Sequence, residues 1–132
     1  MRRVVITGLG VVAPNGVGKD AFWSACQEGV SGVGPIRSFD ASTYPVQIAG
    51  EVPDFDVGPY LPDGQKKSQK VMSRATRFAV GAAGLAVRDA GFTRDWRDPT
   101  RVGVVMGTGV VPMDLPEIAP AVARHFSCLL VQ

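Results

Sequence analysis

Two cysteines and one histidine are the first candidates for nucleophilic catalysis in this 132-residue chain. His125 and Cys128 stand three residues apart, a spacing that lets an imidazole approach a thiol, but no third group is at hand to orient them. Cys26 sits in Trp23-Ser24-Ala25-Cys26-Gln27, on the expected inner face of a helix, where a small core thiol is the simpler reading. With a single imidazole, no mechanism that needs two can run within the chain. The cysteines and the histidine match no zinc spacing either, so neither a catalytic residue nor a metal ligand is assigned.

A second constellation is Gly8-Leu9-Gly10-Val11-Val12-Ala13, which fits the G-x-G-x-x-A pattern of dinucleotide sites and follows an expected strand. In such a site a helix must begin inside the glycine turn, so that its first amides face the pyrophosphate. Here Pro14-Asn15-Gly16 occupies the first helical turn, and no strand ending in Asp or Glu lies about twenty residues on. A glycine turn that lets two backbones approach closely is the better reading, and no cofactor is expected. A dinucleotide-binding α/β domain remains the weaker alternative.

The third is basic. Lys66, Lys67, Lys70, Arg74 and Arg77 gather at the amino-terminal end of a long helical pattern, several on one face. A solvated face is the bland explanation. Positive charge at a helix N-terminus opposes the helix dipole, however, so an acidic partner is the competing one.

The elements that must hold these groups follow from pattern. Val4 to Thr7 and Val102 to Met106 are nearly continuous β-branched runs closed by glycine, as in strands buried on both faces. Lys19 to Glu28 reads as a helix stopped by Gly29, with a loop before it. Val46 to Val52 alternates like an edge strand or hairpin arm within a surface excursion from Val30 to Gly64. Ser73 to Ala90 is the clearest helix, rich in small residues that allow close packing and stopped by Gly91, and a short helix is possible within Ala119 to Gln132. Strand, helices and strand in this order imply an α/β domain with a parallel sheet.

Composition sets the outer limits. An apolar fraction of 45% with 20% charge is that of a globular chain, and 16 Gly with 10 Pro favours short elements and turns. A net charge of +2 is too small to argue for nucleic acid. No apolar run is long enough to span a bilayer, and none has the form of a signal peptide, so a soluble cytoplasmic protein without membrane contact is expected.

Arg3 to Gly16, with its Thr-Gly-Leu-Gly and Pro-x-Gly, resembles the opening of β-ketoacyl-acyl-carrier-protein synthases. The resemblance continues in order and spacing through Phe22-Trp23, Gly29 to Val33, Phe39-Asp40, Ala49 to Val52, Met72 to Ala79, Asp89-Ala90-Gly91 and Val104 to Gly109. It implies part of the amino-terminal half of an α/β thiolase-like fold over residues 1–123, in a protein that acts as a homodimer. Residues 124–132 are left as an unassigned tail, of the kind a truncated or frame-shifted reading would produce.

The chemistry implied is decarboxylative condensation of acyl and malonyl thioesters carried by acyl carrier protein, in fatty-acid or polyketide synthesis. The family's cysteine nucleophile, paired histidines and lysine are expected beyond Gln132, so the chain alone should be inactive. Neither Cys26 nor Cys128 stands in the strand-to-helix elbow that the nucleophile requires. By resemblance, Lys66, Lys67 and Lys70 fall on the carrier-protein docking surface and Val110 lines the acyl pocket, although Val111-Pro112-Met113-Asp114 departs from the family's glycine-rich pattern. A non-catalytic carrier-protein binding module is the principal alternative.

Overall fold

The computed structural model describes residues 3–52, 54–92, 98–109 and 120. Its longest element is a helix, α2, over Arg74–Asp89. Ser73 begins it: with an extended backbone, its hydroxyl accepts the Thr76 amide and so satisfies one of the donors that a helix start leaves open. Gly91, at φ 66°, ends it in the left-handed conformation that glycine adopts without strain.

Two faces of α2 take neighbours where its residues are small. On one, Gly81 and Gly84 admit the rings of Phe55 and Tyr60, which stack at 5.9 Å between centroids, while Phe78 meets Phe55 edge-on at 5.6 Å. On the other lies the end of a strap formed by residues 3–10, which meets the helix from Gly8 to Gly10. A methyl group added at Gly10 would stand 1.9 Å from the Ala82 carbonyl oxygen, so only glycine permits this approach. The buried apolar residues Val57 and Leu61 flank the 3₁₀ turn Gly58–Tyr60, which packs against α2.

A second helix, α1, spans Lys19–Gln27 and is followed by Gly29 at φ 69°. It is preceded by a small antiparallel hairpin of β1, Val12–Ala13, and β2, Gly16–Val17, turning at Pro14-Asn15. A second hairpin pairs β3, Val33–Pro35, with β4, Ile48–Gly50, in the register Val33 to Gly50 and Pro35 to Ile48. Two further 3₁₀ helices cover Lys66–Val71 and Pro99–Arg101.

Both helices and their glycine stops fall where the pattern puts them, as does the β4 arm. The central strands differ. Neither Val4 to Thr7 nor Val102 to Met106 forms a strand, and the parallel sheet expected from them is replaced, among the described residues, by two antiparallel hairpins. The side chains of these runs are open to solvent, Val4 at 95% and Val105 at 97% exposure. β-branched sequence specifies what a strand's side chains need, but a ladder also needs a partner backbone. Among the described residues neither run has one. The stretch expected as a plain loop, Leu9 to Gly18, instead holds the β1–β2 hairpin.

Candidate functional site

The basic cluster divides by what its side chains touch. Lys66, Lys67 and Lys70 lie on the 3₁₀ helix Lys66–Val71 and are exposed. In a 3₁₀ helix residues three apart eclipse one another, which puts Lys67 and Lys70 on one edge. Upstream the helix is anchored by the Gln65 amide to the Pro62 carbonyl at 3.0 Å, and the Ser68 hydroxyl donates to the Gln65 carbonyl at 2.6 Å. No side-chain hydrogen bond or ion pair engages the three lysines among the described residues.

Arg74 and Arg77 are used differently. Arg74 donates to the Val52 carbonyl at 2.8 Å and lies over the Phe78 ring at 5.5 Å. The half-buried Arg77 donates through Nε to the Met72 carbonyl at 3.2 Å, tying the end of the 3₁₀ helix to the first turn of α2. The exposed Arg74 and the half-buried Arg77 are thus tied to backbone carbonyls, whereas the three exposed lysines have no side-chain partner among the described residues.

Beside the cluster, an open cleft is lined by Val12, Ser38, Glu51, Val52, Arg74 and Phe78, among others. Glu51 accepts the Ser38 hydroxyl at 2.5 Å and the Arg37 and Ser38 amides at 2.9 and 3.2 Å. The Ser38 hydroxyl first, then the Arg37 amide, with the Arg74 charge a smaller aid, hold its carboxyl below the usual glutamate range. Glu51 joins the segment after β3 to the segment after β4, a role that a lone Glu in the alternating run Val46 to Val52 does not announce.

The glycine pattern builds no nucleotide site. A hairpin follows Gly10, the next helix starts only at Lys19, and the Leu9 amide is taken by the Asp89 carboxylate at 2.9 Å. An amide bonded to a carboxylate cannot receive a pyrophosphate without displacing it. Gly8 and Gly10 instead serve the close packing on α2.

Cys26 corrects an expectation. The residue of α1 that is buried is its neighbour Ala25, and Cys26 is exposed, with the Asn15 amide 3.8 Å from its sulfur. One position is 100° of helix rotation, enough to exchange the inner face for the outer. No group of three or more potential metal ligands exists among the described residues, and none of the helices searched there is long and apolar enough to cross a membrane. Val110, Val111 to Asp114, His125, Cys128, the short helix expected toward Gln132 and the tail 124–132 lie outside the described residues.

Residues 1–119 match the family model described as the N-terminal domain of β-ketoacyl synthase. The chain is 41% identical over 129 residues to 3-oxoacyl-[acyl-carrier-protein] synthase 2 of Coxiella burnetii, covering 98% of this chain and 29% of that protein. It is 42% identical over 106 residues to the tetracenomycin polyketide synthase ketoacyl synthase beta subunit of Streptomyces glaucescens, covering 80% of this chain and 25% of that one. Among solved structures, the ishigamide ketosynthase/chain length factor superposes with a TM-score of 0.60 at 40% identity, over 71% of this chain and 23% of the other. The chain therefore spans about a quarter of the length of these relatives, as part of a thiolase-like fold. With nine-tenths of its residues inside the matched model, the chain belongs to the β-ketoacyl synthase family, as part of its amino-terminal domain.

Proposed function

We propose that this chain forms the carrier-protein-facing part of a condensing enzyme that joins acyl and malonyl thioesters with loss of carbon dioxide. Lys66, Lys67 and Lys70 receive an acidic acyl carrier protein, and Val110 belongs to the wall of the acyl pocket. The observation that carries the reading is the exposed trio of lysines, free of side-chain partners among the described residues, within a domain of this family. Exposed cations at such an edge steer an acidic partner and set its register more than they add raw affinity. A homodimer in the cytoplasm completes the proposal. By resemblance to the family, the nucleophile and its imidazoles are assigned to the part of the relatives that this chain does not span.

Calorimetric titration with acyl carrier protein tests the docking surface. Replacing Lys66, Lys67 and Lys70 together by Glu is expected to weaken binding roughly ten-fold or more, and added salt to weaken the wild type but not the variant. Unchanged affinity in the triple variant would overturn the assignment. In the same preparation, malonyl-carrier protein is expected to release no carbon dioxide above a protein-free blank. Release that disappears on Cys26→Ala would return that residue to the reaction.

A further inference from the structure

We propose that Asp89 is a latch that holds the amino-terminal strap, residues 3–10, and the first turn of α1 together on the last turn of α2, so that strap and helix loosen as one. Its two carboxylate oxygens are divided between them. One accepts the Leu9 amide of the strap at 2.9 Å, and the other pairs with the ammonium of Lys19, the first residue of α1. Among the described residues no other hydrogen bond holds residues 3–10.

The position of Asp89 makes little sense for α2 alone. A carboxylate in the last turn of a helix faces the negative end of the dipole and is disfavoured there. The bonds it makes across the fold offset that cost. Both partners respond: Asp89 is held below the usual aspartate range by Lys19 first and by the Leu9 amide second, while Lys19 is raised by Asp89. Gly8 and Gly10 also approach α2 closely, Gly8 at Ala86 and Ala90 and Gly10 at Ala82 and Ala86, but with no side chain of their own to interlock there. An open cleft lined by Leu9, Gly18, Lys19, Leu85, Arg88 and Asp89 brings solvent and salt to the pair. The latch also sets the placement of Val4, Val5 and Ile6, the exposed apolar run that the strap carries.

Amide hydrogen exchange on the full 132-residue chain in dilute solution distinguishes a latch from a generally stabilising contact. Asp89→Ala is expected to speed exchange at Leu9 roughly ten-fold, as loss of one charge-assisted hydrogen bond should. The Ala90 amide, bonded to the Ala86 carbonyl at 2.9 Å at the end of α2, should be unaffected. Lys19→Met leaves the Leu9 bond in place, so a several-fold acceleration at Leu9 there reports coupling between α1 and the strap. About 0.5 M sodium chloride should accelerate Leu9 exchange in the wild type and not in Lys19→Met. Should Asp89→Ala fail to fold, the salt response of the wild type and Lys19→Met still decides the matter. Unchanged Leu9 exchange in either variant, or equal acceleration at Ala90, would overturn the latch.

Discussion

Glu51 and Lys66 illustrate how differently single residues reveal themselves. The lysines are legible because a run of like charge ahead of a helix is a local pattern, and the three that face solvent lie where that pattern puts them. Glu51 is not, since its partners Arg37 and Ser38 are 14 and 13 residues away, and only the folding of one hairpin brings them together. Asp89 is harder still, with its strap partner 80 residues distant. Cys26 misleads for a different reason: the apolar face of a nine-residue helix is too short to fix its rotation to within one residue. A pH dependence follows from Glu51. Its lowered carboxyl contributes stability that is fully present above the ordinary glutamate range and is lost as pH falls through the lower folded value. The amide resonances of Arg37 and Ser38 are therefore expected to titrate with a midpoint below that of a free glutamate. Glu51→Gln should abolish the titration, and a midpoint at or above the ordinary value would contradict the assignment.

Among the elements, α2 and its glycine stop were written most clearly. Ser73 precedes an apolar period of helical spacing, and the small residues that suggested close packing, Gly81 and Gly84 foremost, meet Phe55 and Tyr60. The 3₁₀ helix ahead of it carries no comparable signature, because Lys66 to Val71 lacks the apolar stripe by which a buried helix declares itself. Its placement depends on the junction at Met72 and Ser73, where the Ser73 hydroxyl caps α2 and Arg77 returns to the Met72 carbonyl. Ser73→Ala should cost about 1 kcal/mol at the start of α2, read as a several-fold faster hydrogen exchange of the Thr76 amide that the hydroxyl accepts. Ser73→Asp should retain most of the protection, since an Asp carboxylate caps as well and suits the positive end of the dipole. Equal acceleration in both variants would mean that packing at Ser73, rather than its cap, sets the protection.

At the scale of the whole molecule, exposed surface decides how the chain behaves. The two β-branched runs are open to solvent: Val5 and Ile6 are 75% and 84% exposed and Val104 is 82% exposed. These runs keep the composition of central strands without a ladder, which leaves apolar side chains and unpaired backbone groups in the same place. Such segments find partners in other copies when none is supplied within the chain. The isolated protein is therefore expected to self-associate with rising concentration and to melt over a broad, weakly cooperative transition. Lysine at Val5 and Val105 puts like charge on both runs and should shift the sedimentation distribution toward monomer without moving the far-ultraviolet signal of α1 and α2. A wild-type chain that sediments as monomer at every concentration and unfolds in one sharp two-state step would show that these runs are satisfied, and would favour an autonomous carrier-protein binding module over part of a larger condensing enzyme.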